Sequence, residues 1–513
     1  MLGISQAVDR IIWSIRKDEP IAIYGDYDVD GVTATALLVQ LLEGLGARVI
    51  GYIPNRFDEG YGLNNEALNT LHEQGIRLVV TVDCGIRSLA EVEYARNMGL
   101  EILISDHHHP GAELPRATAI INPKQPGDPY PDKDLAGVGL AYKIANSLVR
   151  HLNASRLDPD QSSGVERWLD LVALGTVADM APLVGENRAL VRQGLLLLRQ
   201  TRRQGLRSLI GVSGLQPYRL SATDIGFVLG PRLNAAGRLD SALDAYRLLS
   251  TQDIQEAGHL AQKLDSQNRE RQQITRQIQA AAEVIALAND PDPILLFAAH
   301  PDFNPGVVGL AATRLTEQYY RPAIIAHIGE THTRGSCRSI PEFHITQALD
   351  QCEDLLVRHG GHASAAGFTV QNDRLPELYR RLLSITSDQL RGYDLRPTIV
   401  ADGEVTFTDL HPELLTHLDA LQPTGYGNSE AFLLARRLKV VRYHSVGKEN
   451  QHLKLLVTDG WYSFDAIAFR QGHWVDQIPP YIDMIFTYEL NEYNGRQNLQ
   501  LNVRDLRPSG SSD

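Results

Sequence analysis

Tyr24-Gly25-Asp26-Tyr27-Asp28-Val29-Asp30-Gly31 puts three carboxylates within five residues, directly after the apolar run Ile21 to Tyr24. Three further segments repeat the theme: TVDCG (Thr81 to Gly85), SDHHH (Ser105 to His109) and TVADM (Thr176 to Met180). The first three follow short β-branched apolar runs and read as strand ends. The fourth follows a longer apolar stretch. In a parallel α/β sheet such ends open on one edge, where ligands bind. Hard oxygen and nitrogen donors gathered there suit divalent metal ions.

The alternation around these segments supports that sheet. Short apolar strands are expected at Ile21 to Tyr24, Arg48 to Ile53, Leu78 to Val82, Ile102 to Ile104 and Ala119 to Ile121. Helical periodicity runs through Thr33 to Leu45, Asn64 to Gln74 and Ser88 to Met98, each closed by a glycine. Strands alternating with helices imply βαβ units. Residues 134–285 read as mostly helical, with one long helix over Asp253 to Ala288. The pattern resets at Asp290-Pro291-Asp292-Pro293 into a second α/β unit, and short strands from Pro397 onward suggest an OB-type barrel. The expected plan is a parallel-sheet domain (1–195), a helical connector (196–289), a second α/β domain (290–392), a β-barrel (393–508) and a disordered tail (509–513).

Composition narrows the class. The 513 residues carry a formal charge of −13, which argues mildly against a nucleic-acid coat protein but not against an enzyme with a local basic groove. Apolar runs are too short for a membrane span, and MLGISQAVDR lacks the build of a secretory signal. Cys84, Cys337 and Cys352 form neither a disulfide framework nor a zinc spacing, so a cytoplasmic location is expected.

Asp26, Asp28 and Asp30 are spaced two apart, so in a continuing strand they point to one side. An acidic turn with a helix N-cap is the alternative, since aspartate favours both. Asp83 alone could be a cap. Asp106-His107-His108 is more specific, because an adjacent carboxylate can orient a metal-ligating imidazole. Asp179 is weak by itself, and the joint occurrence carries the weight. A bridging carboxylate between two ligand sets would hold two ions about 3.5–4 Å apart, able to acidify a shared water and support in-line displacement at phosphorus. No phosphate-cradling GxxxxGK[ST] loop and no dinucleotide GxGxxG motif follows the first strand.

The set DYDVDG, VDCG, DHH and VADMAPL resembles the DHH phosphoesterase family, and within it the bacterial exonucleases specific for single-stranded DNA. GPRLNAAGRLD (Gly230 to Asp240), GSCRS (Gly335 to Ser339), GGHASAAGF (Gly360 to Phe368) and LQPTGYGNSEAF (Leu421 to Phe432) extend the resemblance over nearly the whole chain. It implies a DHH catalytic domain, a DHH-associated domain and an OB domain. It also implies metal ligation of two Mn²⁺ or Mg²⁺ ions by Asp28, Asp30, Asp83, His107 and Asp179, with Asp83 as the bridge and Asp26 and Asp106 in support. His108 would face the scissile phosphate. Arg56 and Arg238 would grip DNA phosphates, and Ser336, Arg338, Gly361 and His362 would receive the 5′ end.

The activity implied is 5′-to-3′ hydrolysis of single-stranded DNA to 5′-mononucleotides in recombination and repair. A helicase and a single-strand-binding protein are the expected partners, and a monomer without membrane attachment is the expected form. Two other readings are a DHH phosphodiesterase of short oligoribonucleotides or cyclic dinucleotides, and a non-catalytic single-strand-binding scaffold. The sequence departs from the pattern in two places. Tyr24 stands where several DHH relatives carry histidine, and only twenty residues precede Ile21 where a longer leader is expected. Among the remaining candidates, Trp461, Tyr462, Phe464 and Phe469 read mainly as core packing, with base stacking as the alternative.

Overall fold

The structure, a computed structural model, describes residues 1–55, 62–152, 164–493 and 496–510. Arg56 and the last three residues of the expected tail lie outside them. Two compact units form: Met1–Ala181 with Gln193–Pro397, and Pro182–Arg192 with Thr398–Asp513.

In the first unit, β1 (Ile21–Gly25), β2 (Val49–Tyr52), β3 (Leu78–Val82), β4 (Glu101–Ser105) and β5 (Ala119–Ile121) make an all-parallel sheet in the order β2-β1-β3-β4-β5. β1 and β3 are buried along their whole length, which is why they read as continuous apolar runs rather than alternating ones. The chain leaves β1 for β2 on one side and then crosses to β3 on the other. The switch point therefore lies at the carboxyl ends of β1 and β3, where a crevice opens. Gly25 pairs with Val82, and Val82 with Ser105. That register brings Asp26, Asp83 and Asp106 to one edge, each one residue past its strand.

One face of the sheet packs Ala22, Tyr24 and Val79 against Leu68, Leu71, Val92 and Ala95 of the Asn65–Glu73 and Leu89–Asn97 helices. The Val29–Gly44 helix lies in the interior, with thirteen of its sixteen residues buried. Ser88 stands at the N-cap of the Leu89–Asn97 helix, and its side chain makes no cap hydrogen bond. The Ile254–Leu287 helix runs unbroken for 34 residues from an Asp253 cap, within the span expected from the sequence.

The second α/β portion is a mixed sheet: β6 (Leu296–His300), β7 (Ala323–Ile328), β8 (His332–Arg338), β9 (Leu356–Gly361) and β10 (Ala365–Gln371), in the order β6-β7-β8-β10-β9. Only β6 and β7 run parallel.

In the second unit, β11 (Gly403–Glu404) pairs beside a five-stranded closed barrel of β12 (Leu433–Val446), β13 (His452–Thr458), β14 (Ser463–Ala468), β15 (Tyr481–Tyr493) and β16 (Arg496–Pro508). Pairing of β12 with β15 closes it. Inward residues such as Leu453, Leu455, Val457, Met484 and Phe486 fill the barrel. The fold class is thus the expected one: a parallel-sheet domain, a helical connector, a second α/β domain and an OB-type barrel. The core-packing reading of the C-terminal aromatics fails for three of four. Trp461, Tyr462 and Phe469 are exposed, because two stand in or beside the β13–β14 turn and the third just past β14. Phe464 alone packs on the barrel core. Among the described residues no helix is long and apolar enough to cross a membrane.

Candidate metal centre

The loop after β1 is built by one cap. Asp28 Oδ1 accepts the backbone N–H groups of Asp30 at 2.9 Å and Gly31 at 3.1 Å, starting the Val29–Gly44 helix. The capping role weighed for this segment is therefore real, and it coexists with a place in the cluster. The turn folds tightly enough that a β-carbon on Gly31 would meet the Asp26 backbone at 2.5 Å. Asp30 turns inward and is fully buried. Its two oxygens accept the N–H groups of Gly137 at 2.6 Å and Val138 at 2.8 Å, at the start of the Gly137–His151 helix.

Asp83 sits past β3 in the left-handed region, at φ 64°. Both of its carboxylate oxygens are buried with no hydrogen-bond partner, as is Nε2 of His107. That nitrogen lies 3.1 Å from Asp83 Oδ1, 3.7 Å from Asp179 Oδ2 and 3.9 Å from Asp30 Oδ2. Asp179 is the C-cap of the Leu169–Ala178 helix, not a strand end. The long apolar stretch before it is a helix buried on every side, so its hydrophobicity carries no period.

Three sets of donor atoms each lie within 4.8 Å of one another: Asp26, Asp28 and Asp83; Asp30, His107 and Asp179; Asp83, His107 and His108. Asp83 is common to two of them. Asp106 stands behind the cluster. Its Oδ2 accepts the Ile86 N–H at 2.9 Å, and its Oδ1 accepts the His108 N–H at 3.0 Å and contacts His108 Nδ1 at 2.7 Å.

The electrostatics of the cluster call for positive charge. Burial and the Asp28 charge raise Asp30 to about 7. Burial and the neighbouring aspartates push Asp83 and Asp179 well above the usual carboxylate range. Burial and His108 lower His107 to about 3, leaving a neutral imidazole with a lone pair. Burial works to raise Asp106, but hydrogen bonds with His108 outweigh it and hold the group low. Crowded carboxylates around partnerless buried oxygens fit divalent ions.

The other expected site residues form a second group. Arg238, in the last turn of the Gly230–Leu239 helix, donates from Nη1 to Gly306 O at 3.3 Å. Ser336 and Arg338 share one face of β8. A β-carbon on Gly309 would meet Arg338 Nη2 at 3.1 Å and Ser336 Oγ at 3.5 Å, so both side chains gather at the start of the Val308–Tyr319 helix. Gly361 lies at φ 148°, where a β-carbon would strike Ala365 O at 2.3 Å. The His362 ring reaches to 6.3 Å from the His109 ring. None of these joins the metal cluster.

Three contributions escaped the sequence reading. Asn234 Oδ1 accepts the Val29 N–H at 3.1 Å and pins the acidic loop. The Gly137 and Val138 amides fix Asp30. Asp26 stands in a donor set rather than only behind one. The signals were available: Asn234 lies inside GPRLNAAGRLD, and glycines open the apolar run AGVGLAY.

Residues 20–176 match the DHH family N-terminal domain, 292–388 the DHHA1 domain and 401–505 the RecJ OB domain. The chain is 36% identical over 524 residues to the single-stranded-DNA-specific exonuclease RecJ of Salmonella typhimurium, covering 99% of this chain and 90% of that protein. The chain belongs to the RecJ family. It is 38% identical to RecJ of Bacillus subtilis, covering 99% of this chain but 64% of that longer protein. RecJ of Thermus thermophilus in complex with Mn²⁺ superposes with a TM-score of 0.85 at 30% identity, over 99% of this chain and 72% of that one. The same RecJ in complex with Mg²⁺ gives 0.79. The resemblance read from the DHH motifs therefore holds across the whole described chain.

Proposed function

We propose that this protein is a 5′-to-3′ exonuclease that hydrolyses single-stranded DNA to 5′-mononucleotides using two Mn²⁺ or Mg²⁺ ions. The observation that carries the reading is Asp83. Its carboxylate is buried, partnerless and shared by two donor sets, one with Asp26 and Asp28 and one with His107, which also belongs to the set of Asp30 and Asp179, as suits a bridge between two cations. Asp26, Asp28 and Asp83 would hold one ion, and Asp30, Asp83, His107 and Asp179 the other. Such ions, when bound, acidify water and neutralise charge on phosphoryl oxygens.

The chain's own residues do the rest. His107 stays neutral at physiological pH and offers Nε2. Asp106 orients His108 through Nδ1 and raises its proton affinity against the effect of burial, so His108 can present a proton to a phosphate oxygen. Ser336 and Arg338, beside the N-terminus of the Val308–Tyr319 helix, suit a terminal phosphate, because the guanidinium fork pairs two oxygens at once. Arg238 and Arg56 would hold further phosphates, and Gly361 and His362 would close over the end. Phosphate contacts carry little base information, so sequence preference should be low.

The catalytic chemistry belongs to 1–195, strand capture to 290–392 and retention of long strands to the barrel, 393–508. A cytoplasmic monomer supplied with single strands by a helicase and a single-strand-binding protein completes the proposal. The test is digestion of end-labelled single strands in Mn²⁺ by wild type and Asp83→Ala. Label released first from the 5′ end by the wild type, and none by the variant, is expected. Release from the 3′ end first overturns the polarity, and undiminished cleavage by the variant overturns the bridging role.

A further inference from the structure

The buried face of the Ile254–Leu287 helix changes character along its length. It is apolar at Ala257, Leu260, Ala261 and Leu264, polar at Asp265, Asn268 and Thr275, and apolar again at Ile278 and Ala282. Arg271 falls on the same face, one turn from Asn268 and one from Thr275. This polar waist is not satisfied from within. Asn268 Oδ1, Gln267 Oε1 and Arg271 Nε are all buried with no hydrogen-bond partner. Buried polar atoms left this way cost stability and call for a ligand or a reason.

Charge points the same way. Arg232 reaches the waist from the Gly230–Leu239 helix and donates to Asp265 at 3.0 Å, while Arg269 takes the other oxygen of Asp265 at 2.7 Å. Arg314, from the Val308–Tyr319 helix, reaches the connector at Gln279. Burial and the Arg314 and Arg232 charges hold the Arg271 guanidinium below the usual arginine range. Arg232 and Arg269 thus share one carboxylate, while Arg232 and Arg314 come near enough to Arg271 for their charges to act on it, in a chain whose net charge is −13. The helix carrying Arg232 also carries Asn234, which pins the acidic loop, and Arg238, which touches Gly306. The waist is therefore linked through the Gly230–Leu239 helix to the acidic loop, and through Arg314 to the helix whose start gathers Ser336 and Arg338.

We propose that the polar waist of the connector helix, centred on Arg271 with Asn268, Arg232 and Arg314, is a binding subsite for a phosphodiester of the DNA strand other than the scissile one. The proposal rests on the exonuclease reading for the identity of its ligand. A strand phosphate would supply the missing anion to Arg271, and Asn268 Oδ1 and Gln267 Oε1 would offer acceptors to base N–H groups.

The test measures binding of 3′-labelled (dT)12 in EDTA across a salt series, with melting temperatures in parallel, for wild type, Arg271→Met and Arg271→Lys. Arg271→Met should bind roughly tenfold more weakly, the loss of one charge-assisted contact. Its salt slope should fall by about 0.7, one counterion on a single strand. Its melting temperature should not drop, because a buried cation without a partner is replaced by an apolar side chain. Arg271→Lys should recover the slope. Unchanged binding by Arg271→Met, or a lower melting temperature, defeats the proposal. So does competition by inorganic phosphate that leaves the (dT)12 slope intact, which would mark a site for free anion. Binding in EDTA involves no turnover, so failure here leaves the Asp83→Ala hydrolysis test standing, and the reverse holds.

Discussion

Gly137 packs against Asp83 so closely that a β-carbon on the glycine would sit 2.8 Å from the Asp83 Cβ. The same atom would lie 3.0 Å from Asp30 Oδ2. The glycine is what lets the start of the Gly137–His151 helix touch two site aspartates at once. Gly137→Ala should displace Asp83 and lengthen the Asp30 hydrogen bonds, at roughly 1–3 kcal/mol of stability as for overpacking elsewhere. Calorimetric titration with Mn²⁺ should show weakened binding, and full affinity in this variant would sink the argument.

Asp106 touches no candidate ion site directly, yet it holds His108 by Nδ1 and by the backbone N–H. Asp106→Asn should keep the fold, because the Ile86 N–H can still be accepted. Activity should fall about 10- to 100-fold, the usual loss when a group behind a metal site is removed. The alkaline limb of the pH profile should shift to lower pH as His108 loses the partner that raises it. A drop in rate with an unmoved profile would argue against the positioning role.

Removal of metal should make stability depend on pH in a fixed direction. Asp30, Asp83 and Asp179 have folded-state proton affinities above those of an unfolded carboxyl, near pH 4. The folded state then binds more protons than the unfolded one, and stability falls as pH rises. His108, also raised, acts in the same direction. His107, which is lowered, opposes the trend only below about pH 7.5, where part of the unfolded imidazole is still protonated, as one group against the four that are raised, and Asp106 titrates below this range. Protein in EDTA should melt at a higher temperature near pH 6.5 than near pH 8.5, and saturating Mn²⁺ should raise the melting temperature most at the higher pH. A flat or rising profile in EDTA contradicts the uncompensated cluster.

Arg338 is partly buried, with Nη1 held by the Cys337 carbonyl at 2.8 Å. Lysine keeps the charge but not the planar fork. Arg338→Lys should raise KM for 5′-phosphorylated strands roughly tenfold, the value of one charged hydrogen bond, with little change for strands bearing a 5′-hydroxyl. Equal effects on both substrates would remove the terminal-phosphate assignment.

The first sheet was legible because its central strands β1 and β3 are buried along their whole length and read as unbroken apolar runs. β8, β9 and β10 were not read as strands: GSCR and GGHASAAGF are rich in small residues, so the alternation of buried and open positions along β8 leaves little contrast in hydrophobicity. β16 escaped for a related reason. RQNLQLNVRDLRP alternates, but its outward positions are so polar that the run resembles a loop. Asp26, Asp28, Asp30, Asp83, His107 and Asp179 could be singled out by type and position, because few local structures require that many acids. Asn234 and Gly137 could not, since their value lies in a hydrogen bond across 205 residues and a contact with Asp83 that exist only once the helices dock. Trp461, Tyr462 and Phe469 were misread because hydrophobicity alone does not say where a strand ends and its turn begins.

The clustered donors, Asp26 to Asp179, come from four separate stretches of chain. Each stretch is held in place by another element, whether a neighbouring strand, a docked helix or a pair of amides. A ribosome-bound chain that has not yet reached Asp179 cannot assemble the second donor set, and a chain cut between these stretches loses it if the pieces part. On the proposed reading, hydrolysis of nucleic acid waits for completion of the tertiary structure: fragments and early translation products of this protein should be harmless to the DNA around them.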